Sequence, residues 1–352
     1  MKIVKVNSSR NYEVKIGSGI LNDAGKYISE VFTGKTAVIV SDDNVYPLYG
    51  DKLKKSLCEA GINTIEFIFP HGEKSKCLGT YGQLLNMMCD NKMTRSDAVI
   101  ALGGGVVGDL AGFAAATYQR GIAFIQIPTT LLADVDSSVG GKTGIDLENS
   151  KNQVGAFYQP LLVLCDTDTL KTLPETEYRN GCAEVIKYAM IGSRELFDSI
   201  SETPVKNQYE QVIFQCASMK SDFVEKDEFD LGLRMMLNFG HTIGHTVEAR
   251  SHYAVPHGQG VAMGMAAITR AAYSFGLCDK NTLCSLIELI KKYGLPTEID
   301  YPKDELLGAA MTDKKSSGDS LRLVVPEKIG TCSIKKIQKS EFIEWLSAGG
   351  IR

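Results

Sequence analysis

The sequence of 352 residues lacks most features that mark specialised classes of protein. It has no repeat, low-complexity tract or long charge run, and its formal net charge of -4 disfavours nucleic-acid and anionic-membrane partners, which need basic surfaces. The longest apolar-rich segment, GVAMGMAAITRAAYSFG, is interrupted by Arg270, and MKIVKVNSSR lacks the apolar stretch of a secretory signal. We therefore expect a cytoplasmic protein that does not enter membranes.

Cysteine-based sites are also disfavoured. The nine cysteines form no CxxC pair, and their odd number fits reduced thiols better than a disulfide framework or a cysteine zinc site. Apolar residues make up 44% of the sequence, which is enough for the two domain cores that the length favours.

The first half of the sequence alternates strand-like and helix-like segments. The apolar runs TAVIVS, TIEFIF, DAVIAL and IAFIQI are bounded by turn residues, and several are far enough apart for a crossover helix. This pattern predicts an α/β domain with a parallel, doubly wound sheet. The alternating segments KIVKV and YEVKI predict an antiparallel hairpin at the edge of that sheet.

The second half is predicted to be mainly helical. Amphipathic segments at helical spacing run from about Glu177 to Tyr293, followed by a strand pair, SLRLVVP and GTCSIK, and a helix near Glu341 to Leu346. A proline and several capping residues lie between Thr167 and Thr176. We therefore predict domains at residues 1–166 and 167–352.

A glycine-rich turn follows the strand DAVIAL. Gly103, Gly105 and Gly108 match GxGxxG, a turn in which backbone N–H groups approach a pyrophosphate at a helix N-terminus. The motif does not follow the first strand, and no acidic residue lies about twenty positions later, so Asp42 and Asn44 are the candidates for a ribose contact. The alternative is a tight turn that packs a helix on a strand.

Two further polar loops follow strands. PHGEKSK places Glu73 and Lys76 after one strand, and PTTLLADVDSS places Thr129 and Thr130 after another. Because the carboxyl ends of parallel strands line one crevice, these loops are predicted to converge on one dinucleotide.

Four of the five histidines, His241, His245, His252 and His257, fall within seventeen positions. His241 and His245 are spaced i, i+4 on one helical face, and His257 follows a proline turn. Two imidazoles and one carboxylate would leave an open position on a catalytic zinc. Glu184 is the candidate carboxylate because its neighbours are small and apolar. The alternative, strongest for His252, is a hydrogen-bonded histidine, and the spacing does not choose between His241 and His245.

Cationic and polar residues accompany these motifs, although most lysines in a protein are merely solvated. The glycine-rich segment DVDSSVGGKTGIDLENSKNQVGAFYQP is predicted to be an irregular loop. Lysine and arginine side chains next to unusual loops can neutralise the carboxylate and phosphate charges of a ligand. The candidates are Asp136, Lys142, Lys151, Asn152, Lys187, Lys220, Arg234, Asn238, Lys314 and Lys315.

Taken together, these segments resemble the 3-dehydroquinate synthase family from the first strand to the last helix. The most specific are GGGVVGDLAGFAAATYQRG, IPTTLLADVDSSVGGKTGID, KNQVGAFYQP, NGCAEVIKYAMI, LNFGHTIGHTVEA, HGQGVAMGM and DKK, in this order. The resemblance implies a Rossmann-like NAD-binding domain, a helical domain that binds metal and substrate, and an active site in the cleft between them. It implies zinc or cobalt held by Glu184, His241 and His257, which leaves His245 for the substrate.

The resemblance also assigns cofactor and substrate contacts. For NAD it implies Asp42, Asn44, His71, Gly72, Glu73, Lys74, Ser75, Lys76, Gly104, Gly105, Val106, Val107, Gly108, Asp109, Thr129, Thr130, Lys142, Lys151, Thr169, Leu170, Lys171 and Thr172. For the substrate it implies Asp136, Lys142, Asn152, Lys187, Lys220, Arg234, Asn238, His245, His257 and one of Lys314 or Lys315. Arg120 is similar to an arginine lent across a homodimer interface. His71 and Asp230 depart from the family pattern.

The implied reaction converts 3-deoxy-D-arabino-heptulosonate 7-phosphate into 3-dehydroquinate and phosphate, a step of the shikimate pathway. It comprises transient oxidation by NAD, β-elimination of phosphate, re-reduction, ring opening and an internal aldol closure. The alternatives are another sugar-phosphate cyclase, such as 2-deoxy-scyllo-inosose synthase or a sedoheptulose 7-phosphate cyclase, and a metal-dependent polyol dehydrogenase. A binding module without enzymatic activity fits the motifs least.

Overall fold

The computed structural model describes residues 1–148, 150–252, 254–312 and 320–352. The chain forms two compact units, one of Met1–Pro174 with Tyr209–Phe229 and one of Glu175–Gln208 with Asp230–Arg352. The predicted division at residues 166 and 167 placed Tyr209–Phe229 in the second domain, whereas here this segment belongs to the first unit. The division into functional domains stays a prediction.

The first unit is built on a sheet of seven strands among the described residues. The strands of this unit are β1 (Lys2–Val6), β2 (Tyr12–Gly17), β3 (Thr36–Asp42), β4 (Asn63–Phe69), β5 (Ala98–Gly103), β6 (Ala123–Pro128), β7 (Lys142–Leu147), β8 (Ser150–Phe157) and β9 (Leu162–Asp166). The sheet order is β1-β2-β9-β6-β5-β3-β4, with β1 and β2 antiparallel and the other pairs parallel. The predicted parallel sheet and edge hairpin are confirmed.

Helices cover both faces of this sheet. The first unit contains α1 (Ala24–Ser29), α2 (Tyr46–Glu59), α3 (Leu78–Asp90) and α4 (Gly105–Thr117). Alternate residues of β3 pack on opposite faces of the sheet. Ile39 belongs to the core that includes α1 and α2, and Val40 belongs to the core that includes α3 and α4. Strands buried on both faces are continuously apolar, which explains why the sequence shows unbroken runs there.

Most of the glycine-rich segment predicted as an irregular loop is instead the antiparallel hairpin of β7 and β8, preceded by a helical turn at Ala133–Ser137. Gly144 pairs with Gly155. A Cβ on Gly144 would lie 2.7 Å from the Val154 carbonyl oxygen, and one on Gly155 would overlap the Thr143 carbonyl oxygen. The glycines therefore allow two strands to approach closely, which composition alone does not distinguish from a flexible loop.

The second unit is mainly helical, as predicted. The remaining helices of the chain are α5 (Glu175–Gly192), α6 (Arg194–Glu202), α7 (Tyr209–Lys226), α8 (His241–Arg250), α9 (His257–Ser274), α10 (Lys280–Lys292), α11 (Lys303–Thr312) and α12 (Phe342–Ala348). Of these, α7 belongs to the first unit, where it packs against β1 and β2. The predicted strand pair is the hairpin of β10 (Ser320–Lys328) and β11 (Thr331–Gln338). None of the described helices has the length and apolarity needed to cross a membrane.

Candidate active site

Four glycines bring α8 and α9 into close contact in the second unit. A Cβ on Gly264 would overlap the Gly240 carbonyl oxygen, and one on Gly244 would lie 2.8 Å from the Gly260 carbonyl carbon. Gly240 also has a φ of 79°, in the left-handed region that favours glycine, where it begins α8. Because His241 and His257 are the first residues of α8 and α9, this contact brings both rings toward α5, on which Glu184 lies.

Glu184, His241 and His257 converge on one point. The Oε1 atom of Glu184 lies 3.5 Å from His241 Nε2 and 3.3 Å from His257 Nε2. Tetrahedral zinc with bonds of about 2.0 Å holds its ligand atoms roughly 3.3 Å apart. One carboxylate and two imidazoles at this spacing therefore fit a divalent first-row metal such as zinc or cobalt.

Glu184 is completely buried and contacts a second charge. Its Oε2 atom lies 2.5 Å from the ammonium of Lys187, whose side chain is 1% exposed. The spacing of three positions along α5 places both groups on one face of the helix. Burying such a pair is tolerable because each charge compensates the other, and removing either partner would leave an uncompensated charge.

The two histidines have opposite shifts in pKa. Burial lowers the pKa of His241 to about 3, an effect that exceeds the attraction of Glu184. Burial also disfavours a charged His257, but hydrogen bonds with Glu184 and Glu248 raise its pKa to about 10. A proton on His257 occupies the position that a metal ion would take, since ligating histidines must present an unprotonated nitrogen.

His245 and His252 lie outside this triad. The ring of His245 is exposed, and its centroid lies 5.3 Å from that of His241 and 5.9 Å from that of His257. Its position next to the metal candidates fits the substrate role that the resemblance implies, which stays a prediction. His252 is exposed, has a φ of 51° and belongs to neither candidate metal group.

The close helix contact leads to a stability prediction. Replacing Gly264 with Ala forces a methyl group against the Gly240 backbone, and we expect a loss of about 3 kcal/mol in the free energy of unfolding. Gly82 in α3 has open space at its Cβ, so Gly82→Ala is the matched control and should stabilise by about 0.5–1 kcal/mol. Urea unfolding measures both. Equal effects of the two substitutions would contradict the packing argument.

In the first unit, the predicted glycine turn joins β5 to α4. A Cβ on Gly103 would lie 2.5 Å from Val107, and one on Gly108 would lie 2.9 Å from Gln126, so these two glycines have a packing role. The side chain of Val107 is buried in the core, which leaves its backbone for any cofactor contact. Among the described residues no side chain caps α4, so its first N–H groups suit an anion.

Lys76 is the centre of a buried polar cluster. Its Nζ atom lies 3.1 Å from both Glu73 Oε1 and Asp109 Oδ2, 2.7 Å from Asn152 Oδ1 and 3.9 Å from Asp146 Oδ1. Burial raises the pKa of Asp109, although the nearby Lys76 charge opposes this shift. Burial by itself would lower the pKa of Lys76, but the surrounding carboxylates have the larger effect, so the pKa of Lys76 is raised. The cluster therefore fixes three of the predicted cofactor residues and the tip of the β7–β8 hairpin.

Other predicted cofactor residues lie at strand ends or in short turns. The Oδ1 atom of Asp42 accepts hydrogen bonds from the backbone N–H groups of Asn44 and Val45, at 3.0 and 2.9 Å. His71 contacts Asp43 Oδ1 at 2.8 Å through its N–H and through its ring. The hydroxyl oxygen of Thr129 is buried without a hydrogen-bond partner among the described residues, as a cofactor-binding group would be. The other residues of this predicted set are Gly72, Lys74, Ser75, Gly104, Gly105, Val106, Thr130, Lys151, Thr169, Leu170, Lys171 and Thr172.

The predicted substrate residues are distributed over both units. In the first unit, Lys220 Nζ lies 3.0 Å from Asp136 Oδ1, and Lys142 is exposed at the start of β7. In the second unit, Arg234 is 1% exposed and shares the 3-10 turn Leu233–Asn238 with Asn238. Lys314 and Lys315 lie outside the described residues.

Arg120 and Asp230, the remaining positions singled out in the sequence, have backbones in the left-handed region. Exposed Arg120 has a φ of 69°, and its role at a homodimer interface stays a prediction. Asp230, which departs from the family pattern, has a φ of 58°. Asp is one of the few residue types that adopt this region readily, so the departure is compatible with the local backbone.

Glu248 and Asp146 contact the candidate sites although sequence reasoning did not identify them. Asp146 accepts a hydrogen bond from the backbone N–H of Asn152 at 2.7 Å, and Glu248 Oε1 lies 2.9 Å from His257 Nδ1. The sequence offered one signal for Glu248, because it lies seven residues after His241 and therefore close to the same helical face.

The fold is that of the sugar-phosphate cyclases. A solved 2-deoxy-scyllo-inosose synthase, in complex with carbaglucose-6-phosphate, NAD⁺ and Co²⁺, superposes with a TM-score of 0.88 and 24% identity over 98% of this chain and 99% of that one. A 2-epi-5-epi-valiolone synthase from Streptomyces hygroscopicus subsp. jinggangensis 5008, with NAD⁺ and Zn²⁺ bound, also has a TM-score of 0.88, with 25% identity over 99% of each chain.

Sequence relatives define the family more narrowly. The family profile described as 3-dehydroquinate synthase N-terminal matches residues 66–180, and the one described as 3-dehydroquinate synthase C-terminal matches residues 181–316. A 3-dehydroquinate synthase from Clostridium acetobutylicum is 45% identical over 98% of this chain and 99% of its own length. The chain belongs to the 3-dehydroquinate synthase family, which confirms the resemblance inferred from its motifs.

Proposed function

We propose that the protein converts 3-deoxy-D-arabino-heptulosonate 7-phosphate into 3-dehydroquinate and phosphate, with NAD and one divalent metal ion. The observation that carries the proposal is the convergence of Glu184, His241 and His257 in a chain of this family. The two solved cyclases, which bind NAD⁺ together with Co²⁺ or Zn²⁺, support the choice of cofactors. Homodimer formation and a cytoplasmic location are part of the same proposal.

Glu184, His241 and His257 would hold the metal, and the loops around Gly104, Lys76 and Thr129 would hold the NAD. When bound, the metal supplies Lewis acidity and NAD supplies a reversible electron acceptor. Other residues of the chain would bind the substrate and orient it toward the metal and NAD.

Charge complementarity assigns the remaining roles. Lys220 and Arg234 would bind the substrate carboxylate, while Lys142, Asn152, Asn238, His245 and an Arg or Lys would hold the phosphate that leaves. Lys220 and Arg234 are buried, so a substrate carboxylate would meet them in surroundings where charges interact more strongly than at an exposed surface. A cyclase for neutral sugars has no need for cations at a carboxylate position.

The decisive experiment incubates the metal-loaded protein with the heptulosonate phosphate and a catalytic amount of NAD. We expect one phosphate released for each 3-dehydroquinate formed, with no net NADH. Stoichiometric NADH would instead indicate a polyol dehydrogenase. Phosphate release from glucose 6-phosphate or sedoheptulose 7-phosphate, with none from the heptulosonate, would indicate a different cyclase.

A further inference from the structure

Glu248 is a buried carboxylate beside the proposed metal ligands. It lies in α8, its residue is 4% exposed, and its Oε1 atom is 2.9 Å from Nδ1 of His257. The other nitrogen of the same ring, Nε2, is 3.3 Å from Glu184 Oε1. His257 therefore lies between two carboxylates, one at each ring nitrogen.

His241 shows the same arrangement with a neutral partner. Its Nδ1 atom lies 3.1 Å from the backbone oxygen of Phe239, and its Nε2 atom faces Glu184 Oε1 at 3.5 Å. An imidazole that donates a proton from Nδ1 has its lone pair on Nε2. The Phe239 carbonyl and the Glu248 carboxylate therefore both favour the tautomer whose Nε2 lone pair is directed toward Glu184.

The packing of α8 on α9 leaves space for the Glu248 carboxylate. A Cβ on Gly260 would lie 3.2 Å from Glu248 Cγ and 3.4 Å from its Oε1 atom. Glycine at this position in the first turn of α9 therefore allows the carboxylate to reach the ring of His257. The hydrogen bond depends on the same helix contact that brings His241 and His257 together.

Glu248 also belongs to a second group with metal-ligand spacing, made of His245, Glu248 and His257. Both groups contain a buried carboxylate, but His245 is exposed, whereas none of Glu184, His241 and His257 is exposed. A metal ion in low-polarity surroundings interacts more strongly with a carboxylate than one at a hydrated surface does. We therefore favour the Glu184 group as the metal site and an outer position for Glu248.

We infer that Glu248 is a positioning residue, which holds His257 with Nε2 directed at the metal and increases the electron density of the ring. This inference rests on the metal site of the proposed function. Carboxylates hydrogen-bonded to a ligating histidine fix its orientation and strengthen its bond to the metal, and their loss costs about 10- to 100-fold in affinity. Glu248 would thus increase the affinity for the metal through His257, without contacting the metal itself.

The test is Glu248→Gln in the full-length protein, since glutamine keeps the shape and an acceptor oxygen but removes the charge. Zn²⁺ and Co²⁺ dissociation constants are measured by competition with a chromophoric chelator, together with the visible spectrum of the Co²⁺ form and the melting temperature of the metal-free protein. We expect one ion per chain, a dissociation constant raised about 10-fold or more, shifted Co²⁺ bands and a lower melting temperature of the metal-free protein, which loses the Glu248 charge beside His257. The control is Glu305→Gln, which removes the exposed partner of Arg250 and should match the wild type.

Three results would overturn the inference. One is an unchanged metal affinity and Co²⁺ spectrum in Glu248→Gln, even if its melting temperature falls, because that describes a structural role. Another is complete metal loss in Glu248→Gln with retention in Glu184→Gln, which would make Glu248 a direct ligand. A wild-type protein that binds neither ion would overturn the proposed function as well, which distinguishes the two failures.

Discussion

Glu184→Gln is expected to abolish retention of the metal and to lower turnover by at least about a thousandfold, equivalent to about 4 kcal/mol of transition-state stabilisation. Glutamine preserves the side-chain volume but supplies a neutral amide in place of the single anionic ligand of the triad. Metal analysis after dialysis against a chelator and the phosphate-release assay measure the two effects.

The variant should still fold, because the amide oxygen accepts a hydrogen bond from the Lys187 ammonium, but the uncompensated charge of buried Lys187 should lower its melting temperature. Circular dichroism checks this point. Glu175→Gln is the matched control on the same helix, since Glu175 is exposed and pairs with Arg179. Full activity of Glu184→Gln after chelation would show that the metal site is assigned wrongly.

Lys76→Met is expected to lower the free energy of unfolding by about 3–5 kcal/mol at pH 7.5, the usual cost of removing one partner from buried charges. Glu73, Asp109 and Asp146 would lose the cation that all three approach. Methionine fills the same space with an apolar chain, so the loss measures the unpaired carboxylates.

The loss should become smaller as the pH falls. Burial raises the pKa of Asp109 and Asp146 already in the wild type, and removing the cation raises these values further in the folded state. A carboxyl whose pKa is higher in the folded than in the unfolded state is destabilising above its unfolded value, and this cost is relieved as protons bind. Urea unfolding at pH 5 and 7.5 checks the trend. Lys55→Met, at a side chain that is 79% exposed, is the control, and an equal loss in both variants would contradict the role of the cluster.

The chemistry of the candidate site was largely predictable from residue types. Carboxylate and imidazole are metal ligands in any fold, so Glu184 and the histidines of LNFGHTIGHTVEA and HGQGVAMGM were identifiable from the amino-acid sequence alone. Helical spacing did not choose between His241 and His245, because both lie on one face of α8. In the structure, the point where α5, α8 and α9 approach one another selects His241. The contact of Glu248 with His257 depends on the same helix packing and was therefore missed.

The sequence by itself determined the order and type of most elements, because apolar periodicity records which face of a strand or helix is buried. It did not determine what covers that face. The amphipathic pattern of α7 is equally compatible with either unit, and its contacts with β1 and β2 place it in the first. Likewise, Gly144 and Gly155 predict conformational freedom, and pairing of β7 with β8 turns that freedom into close strand contact. Such choices depend on contacts between residues far apart in the chain, which tertiary structure alone creates.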